Sequence, residues 1–135
     1  MTLVDAGPLI ALLARRDKDH KRCLEWIDKL DSPLVTTLAL LTEVMYFLGG
    51  AFGWHGQNQL WGMIAENRVE LAEIDYDALR RCCELMEKYA DVPMDFADAT
   101  LVALAEQLDT RQIFTLDRHF RIYRFRGRRN FDVVP

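Results

Sequence analysis

The stretch MTLVDAGPLIALLA at residues 1–14 decides the fold of this chain. Residues 2–4 predict a short buried strand that runs directly into Asp5, the only charged side chain of the stretch. Gly7 and Pro8 favour a turn followed by the first turn of a helix, and the apolar residues behind them continue that helix. Ligands of open α/β sheets bind outside the carboxyl ends of the strands. Asp5 therefore stands where a site is expected, although an Asp here is equally typical of a helix N-cap.

The composition is typical of a globular domain with a hydrophobic core. Half of the 135 residues are apolar, which is enough to bury a core without disulfides or a structural metal. Cys23, Cys82 and Cys83 are odd in number and lack the spacing of metal ligands, so we expect reduced cysteines in the core. Asp5 and Pro8 interrupt the only candidate for a secretory leader. The sequence therefore predicts a cytoplasmic protein.

One apolar segment, residues 33–52, has about the length of a membrane-spanning helix. Glu43 lies near its middle, threonines and glycines dilute it, and no Lys or Arg flanks it closely on the far side. We therefore expect a buried strand followed by a helix, and no membrane span.

The charge of the chain is unevenly distributed. Its formal net charge of -4 argues against general affinity for nucleic acid, yet residues 118–135 contain six arginines and one acid. Such a tail is suited to tracking phosphates, and it is equally typical of a solvated face or of a patch that meets an acidic partner. Four of its arginines are candidate RNA contacts: Arg118, Arg126, Arg128 and Arg129.

Strands alternate with helices along the whole chain. Strands are predicted at residues 2–4, 34–36, 69–74, 112–116 and 131–134. Helices are predicted at residues 9–13, 19–30, 38–48, around 60–64, 75–89 and 94–108, and residues 49–56 are expected to loosen the chain. This alternation predicts a three-layer α/β/α sandwich with a mainly parallel central sheet, formed by residues 1–135 as a single domain.

Glu43 is the sharpest anomaly in the sequence. Between Asp31 and Glu66 it is the only residue of the Asp, Glu, Lys and Arg set, and it lies on the most apolar helix. A buried carboxylate costs several kcal/mol unless it is paired or coordinated, and no base lies within helical reach. We therefore expect a partner from elsewhere in the fold; the alternatives are a Glu that faces the surface or a contact with a distant Arg.

Further acids adjoin apolar elements. Asp95 and Asp98 stand three residues apart near the start of a helix, where acids suit the helix dipole and form a capping pair. Two roles are possible for Asp95: it caps the helix, or it contacts the ligands of a site from outside. Asp117 directly follows an apolar strand and so repeats the arrangement of Asp5.

Taken alone, each acid is more often structural than functional. Together, Asp5, Glu43, Asp98 and Asp117 can converge at one edge of the sheet. Carboxylates without matching bases repel one another, so a hard divalent cation with oxygen ligands, Mg²⁺ or Mn²⁺, best explains such a site. A metal centre of this kind lowers the pKa of bound water and aligns the oxygens of a phosphodiester, which predicts hydrolytic phosphoryl transfer.

At these residues the chain resembles the PIN-domain ribonuclease family, and in length it is similar to the VapC-type toxins of bacterial toxin-antitoxin pairs. The resemblance covers nearly the whole chain, and its motifs are VDAGPLIAL at residues 4–12, TEV at 42–44, ADATLVALA at 97–105 and TLDRHF at 115–120. It implies a PIN-like fold and a Mg²⁺ or Mn²⁺ ion held by Asp5, Asp98 and Asp117. It also implies that Glu43 tunes this centre and that Thr115 orients water or metal.

The resemblance implies a function as well. It indicates an endoribonuclease that cleaves single-stranded or looped RNA through a metal-activated water, as the toxin of a type II toxin-antitoxin pair. It further implies a homodimer and an antitoxin that blocks the site. Residues 49–61, with Trp54 and Trp61, are candidates for a dimer or partner surface, and core packing is the alternative.

Two rival functions use the same acids. A Mg²⁺-dependent phosphatase or DNA nuclease needs a similar carboxylate centre, but a phosphatase of the haloacid-dehalogenase type has a second Asp two residues after the first, where this chain has Gly7. A non-catalytic interaction module of the same fold would retain the acids for structure only. Metal binding separates the rivals, because a structural module needs no cation.

Overall fold

The computed structural model describes residues 1–135 and contains seven strands and five helices. The strands are β1 (Thr2–Val4), β2 (Leu34–Thr36), β3 (Val69–Leu71), β4 (Gln112–Phe114), β5 (Arg124–Phe125), β6 (Arg129–Asn130) and β7 (Asp132–Val134). The helices are α1 (Ala6–Leu13), α2 (His20–Ile27), α3 (Leu38–Ala65), α4 (Tyr76–Lys88) and α5 (Phe96–Leu108), and a short 3-10 helix spans Arg118–Arg121.

Five strands form one parallel sheet in the order β3-β2-β1-β4-β7, and helices flank it. The predicted three-layer α/β fold with a mainly parallel sheet is therefore confirmed. The strands are shorter than predicted: β3 ends at Leu71 and β4 at Phe114. β5 and β6 form a small antiparallel hairpin outside this sheet, which the sequence analysis did not predict.

The two faces of the sheet bury two hydrophobic clusters. Adjacent residues of a strand point to opposite faces, so Leu3 packs into the cluster beneath α4 and α5, and Val4 packs into the cluster beneath α1, α2 and α3. The α4–α5 pair is also joined by an ion pair in which the Arg81 guanidinium binds Glu106 through two nitrogens, at 3.0 and 3.1 Å.

Helix α3 departs most from the prediction. It runs through residues 49–56 instead of loosening there, and its helical geometry breaks only at Gly53, where φ is 62°. An apolar helix of this kind was expected to be central, but Leu38, Tyr46 and Trp54 are 67%, 86% and 65% exposed. Only one side of α3 packs into the core, so several of its other apolar side chains remain exposed.

A smaller difference concerns α4. Cys83 was expected in the core, yet it is exposed because α4 buries a single narrow face. Cys23 and Cys82 are buried as expected. None of the helices combines the length and the apolar character needed to cross a membrane.

Candidate metal centre

The candidate site lies where β1 and β4 end, at the carboxyl edge of the sheet. Leu3 pairs with Ile113 and Val4 with Phe114, and the Asp5 N–H donates to the Phe114 carbonyl at 2.9 Å. The order of the strands reverses about β1, because β2 and β3 lie on one side of it and β4 and β7 on the other. Such a switch point is where open parallel sheets bind ligands.

Asp5 is held in place by hydrogen bonds to both carboxylate oxygens. Oδ2 accepts from the Thr115 hydroxyl at 2.7 Å, and Oδ1 accepts from the Ala6 N–H at 2.8 Å. Asp5 is thus the N-cap of α1 and remains 7% exposed at the site. The Thr115 oxygen also accepts from the Asp117 N–H at 3.0 Å. In this structure Thr115 therefore orients Asp5, and its predicted role toward water or metal stays a prediction.

Helix α5 brings Asp98 to the same edge. A helix that connects two parallel strands runs against them, so its N-terminus lies at their carboxyl ends. Asp98 is in the first turn of α5, where its N–H donates to Asp95 Oδ1 at 2.8 Å and its Oδ2 accepts from the Asp95 N–H at 3.3 Å. Asp95 is therefore the N-cap of α5, and the pair forms a capping box.

Asp117 and two residues that the sequence analysis missed complete the neighbourhood. Asp117 Oδ1 accepts from the His119 N–H at 2.9 Å and lies 2.9 Å from His119 Nδ1. The buried Tyr123 hydroxyl lies 2.9 Å from the Pro93 carbonyl, to which it donates, and 3.4 Å from Asp98 Oδ2. No motif signals Tyr123, because its place beside Asp98 depends on how the chain folds back after the 3-10 helix.

The three predicted metal ligands converge. Asp5, Asp98 and Asp117 each place one carboxylate oxygen so that the three atoms lie within 4.8 Å of one another. Burial, followed by the charges of Asp95 and Asp5, raises the pKa of Asp98 to about 7. Burial likewise raises the pKa of Asp5, although its bonds to Thr115 and Ala6 oppose the change. Neither Asp5 nor Asp98 is paired with a basic side chain.

Glu43 differs from its predicted environment. The sequence analysis favoured a buried Glu43 with a partner from elsewhere, but the structure shows its alternative of a Glu that faces the surface: Glu43 lies on the exposed side of α3 and outside the group of three converging oxygens. Partial burial of its carboxyl, then the charges of Asp95 and Asp5, raise the pKa of Glu43. It therefore lies close enough to the cluster to share its electrostatic field.

The donor set fits a hard divalent cation. Three carboxylate oxygens within 4.8 Å of one another are ligands that Mg²⁺ and Mn²⁺ prefer. Burial is the largest cause of the raised pKa values of Asp5 and Asp98, and the charges of neighbouring carboxylates raise them further. A bound cation would balance this charge, and Asp5, Asp98 and Asp117 are the residues able to hold it.

The four predicted RNA-binding arginines separate into two places. Arg118 directly follows Asp117 and lies at the cluster. The β5–β6 hairpin carries the other three, and Arg126 pairs with Asp109 at 3.1 Å, at the C-terminal end of α5. At about 1.5 Å per helical residue, Asp109 is roughly 16 Å from Asp98. The structure therefore does not bring Arg126, or the adjoining Arg128 and Arg129, to the acidic cluster.

Fold and site together define an α/β protein whose carboxylate cluster suits a divalent cation, and comparisons with known proteins identify its family. The PIN domain family matches residues 2–126. The chain is also 30% identical over 134 residues to Ribonuclease VapC26 of Mycobacterium tuberculosis, covering 98% of this chain and 99% of that protein. The chain therefore belongs to the PIN-domain family, and the resemblance drawn from its motifs is confirmed.

Solved structures share the fold. The M. tuberculosis toxin VapC20, described as cleaving the sarcin-ricin loop, superposes with a TM-score of 0.79 at 16% identity, over 87% of this chain and 90% of that one. A toxin-antitoxin complex from Klebsiella pneumoniae superposes with a TM-score of 0.64 at 23% identity, over 87% of each chain. VapBC2 of Rickettsia felis, solved with a promoter DNA fragment, superposes with a TM-score of 0.71 at 12% identity, over 99% of this chain and 98% of that one.

Proposed function

We propose that this PIN-domain protein is a Mg²⁺- or Mn²⁺-dependent endoribonuclease and the cytoplasmic toxin of a type II toxin-antitoxin pair. The single observation that carries the proposal is the convergence of Asp5, Asp98 and Asp117 at the switch point of the sheet. Similarity to Ribonuclease VapC26 over nearly the full length of both chains supports RNA as the substrate. A non-catalytic module would have no reason to keep three carboxylates this close when two of them, Asp5 and Asp98, have no basic partner.

Each residue of the site has a role in this proposal. Asp5, Asp98 and Asp117 hold the divalent ion, which when bound lowers the pKa of water and stabilises charge on the phosphodiester. Thr115 fixes the rotamer of Asp5 through its 2.7 Å hydrogen bond, as outer partners of metal ligands do. Glu43 has a raised pKa and stays open to solvent, so it is placed to take up a proton at the edge of the cluster.

A cleavage assay tests the proposal. Purified protein should cut a single-stranded RNA with Mg²⁺ or Mn²⁺ and stop in excess chelator. Asp5→Asn should lower the rate by at least about 100-fold, because even outer partners of metal ligands cost about 10–100-fold when changed. Asp77→Asn, an exposed first-turn acid on α4, is the matched control and should retain activity. Full cleavage in chelator, or equal loss in both variants, would refute the metal site.

A second copy of this chain is the proposed occupant of the exposed side of α3. The exposed aromatic residues there are Tyr46, Phe47, Phe52, Trp54 and Trp61. Exposed apolar surface of this extent on one element is typical of a protein interface, so these residues are not the core residues that the sequence analysis allowed. Light scattering should give a dimer for the wild type and a monomer for Trp54→Ser with Phe47→Ser. A monomeric wild type would contradict this.

An antitoxin is the proposed second protein partner. The Klebsiella relative was solved as a toxin-antitoxin complex, and the two folds superpose over 87% of this chain. Co-expression with the protein encoded by the adjacent reading frame should yield a stable complex that no longer cleaves RNA. Full activity in such a complex would contradict an antitoxin that blocks the site.

A further inference from the structure

A small pocket lies beside the metal centre and shares residues with it. Its volume is about 110 Å³, and Thr115 and Asp117 form part of its wall. Sites for drug-sized ligands usually measure about 300–1,000 Å³. This pocket therefore has room for one small group and not for a whole nucleotide.

Three arginines line the pocket: Arg22 of α2, and Arg118 and Arg121 of the 3-10 helix. A 3-10 helix has about 3 residues per turn, so side chains at positions i and i+3 lie on the same side. This geometry places Arg118 next to Arg121, and α2 supplies Arg22 from a different part of the chain. The 3-10 helix is anchored by Asp117, whose side chain accepts from the His119 N–H at 2.9 Å.

The guanidinium groups of these three arginines have no carboxylate partners. Arg81, Arg111 and Arg126 each form an ion pair in the structure, whereas none of the three pocket arginines does. Asp117 is the only acid that lines the pocket, and its carboxylate already contacts His119. The pocket therefore holds excess positive charge immediately beside a cluster of acids.

We propose that Arg22, Arg118 and Arg121 form a phosphate pocket that holds a backbone phosphate of the RNA next to the one being cleaved. The proposal rests on the ribonuclease function proposed above. Guanidinium groups match phosphate oxygens through paired hydrogen bonds, and their charge is not lost at any physiological pH. Because the pocket and the metal centre share Asp117, a phosphate bound here brings the neighbouring phosphodiester to the carboxylates.

The proposed pocket sets the position of the strand and not the choice of base. Contacts to phosphates fix register and orientation but carry no sequence information by themselves. The small volume admits a phosphate and excludes a base, so recognition of the cleavage sequence falls to other surfaces. Removing the arginines should therefore weaken the binding of every RNA substrate to a similar degree.

The test is the double variant Arg22→Gln with Arg121→Gln, compared with the control Arg15→Gln with Arg16→Gln. Both pairs are exposed and both variants lose the same charge, but Arg15 and Arg16 follow the C-terminal end of α1 and do not line the pocket. Initial rates on a single-stranded RNA with Mg²⁺, measured over a range of salt concentrations, provide kcat, KM and the salt dependence of KM.

The pocket variant should raise KM about 10-fold or more while kcat changes less than about 3-fold. Its salt slope should fall by about 0.7, since the pocket holds one phosphate and each phosphate contact on a single strand contributes about 0.7. RNA kinetics of the pocket variant that match those of the Arg15/Arg16 control would overturn the role of the pocket in binding RNA but not the ribonuclease function, since the wild type would still cleave RNA. A wild type that cleaves no RNA would refute the ribonuclease function, and this inference with it.

Inorganic phosphate gives an independent readout in chelator, where no cleavage occurs. Phosphate should raise the melting temperature of the wild type and of the Arg15/Arg16 control, and this rise should be absent in the pocket variant. An equal rise in all three proteins would overturn the pocket. Unchanged RNA kinetics together with a lost phosphate response would overturn the RNA assignment and indicate an acidic protein partner instead.

Discussion

Replacing Asp98 with Asn should stabilise the metal-free protein at pH 8 and abolish cleavage. Burial and the charges of Asp95 and Asp5 raise the pKa of Asp98 to about 7, so its ionised form is disfavoured in the folded protein. Asn has nearly the same shape and keeps an oxygen that can accept from the Asp95 N–H. The change therefore removes a repelled charge at almost constant structure.

The size of the effect follows from two opposing contributions. A rise in pKa from 3.8 to about 7 corresponds to a ceiling of about 4 kcal/mol, at about 1.36 kcal/mol per pKa unit. The Asp98 carboxyl is partly exposed, and solvent screening reduces this to about 1–2 kcal/mol. Losing a negative charge at the N-terminus of a helix costs about 0.3–1 kcal/mol. The melting temperature in chelator should therefore rise by a few degrees, roughly 2–6 °C.

The stabilisation should depend on pH with a definite sign. Because the folded pKa of Asp98 is above the unfolded value, the native state binds more protons between pH 3.8 and about 7. The free energy of unfolding of the wild type should therefore fall as pH rises through that window. Asp98→Asn should lack the part of this fall that Asp98 contributes, so the two proteins differ most at pH 8. Below about pH 4 Asp98 is protonated and the advantage of Asn should disappear.

Thermal melts from pH 4 to pH 8, with chelator and with Mg²⁺, measure these effects. Mg²⁺ at about one hundred times its dissociation constant should stabilise the wild type by roughly 2.7 kcal/mol, and the variant by less. Asp77→Asn is the control, because this first-turn acid of α4 pairs with Arg80 outside the cluster and should lose slight stability at pH 8. An Asp98→Asn variant that melts below the wild type in chelator at pH 8, with no Mg²⁺ response in the wild type, would refute the reasoning.

Three further substitutions test single contacts. Thr115→Val should lower kcat about 10–100-fold and shift the acidic limb of the pH profile of kcat to higher pH, because Asp5 loses the hydrogen bond that lowers its pKa. Thr115→Ser should restore both the rate and the profile, and an unchanged profile in Thr115→Val would contradict this role. Tyr123→Phe leaves the Pro93 carbonyl without its donor and should cost about 1–3 kcal/mol in urea unfolding, where no loss would mean that water replaces the hydroxyl. Gly53→Ala forces a side chain onto φ of 62° and should cost about 1–2 kcal/mol; equal stability would show that α3 straightens.

Local pattern alone was enough for the order of the elements and for three of the acids. An apolar strand that ends in an acid places that acid at the carboxyl edge whenever strands alternate with helices, which covers Asp5 and Asp117. Asp98 follows by the same logic, because a crossover helix begins at that edge. These placements depend on the period of the apolar residues and on the direction in which each strand or helix runs. Both can be read from a single sequence.

The exposure of Glu43 could not be predicted from the local pattern. Helix α3 is apolar on nearly every side, so its composition does not reveal which side packs on the sheet. The structure leaves the side that carries Glu43 facing outward, together with Tyr46 and Trp54. Exposure of such a helix depends on where the other layers end, which is a property of the whole fold.

Contacts between distant segments also required the tertiary structure. Thr115 reaches Asp5 because β1 pairs with β4 in one register, and a shift by a single residue would turn either side chain to the other face. The arginines show the same dependence: Arg22 joins Arg118 although 96 positions separate them in the sequence, whereas the neighbouring Arg126 is held at the far end of α5. The sequence by itself determined the five strands of the main sheet, the places of the helices between them and the acids at their ends, because those properties are local. Only the tertiary structure decided which side chains meet, because pairing register and layer packing join residues that no local pattern connects.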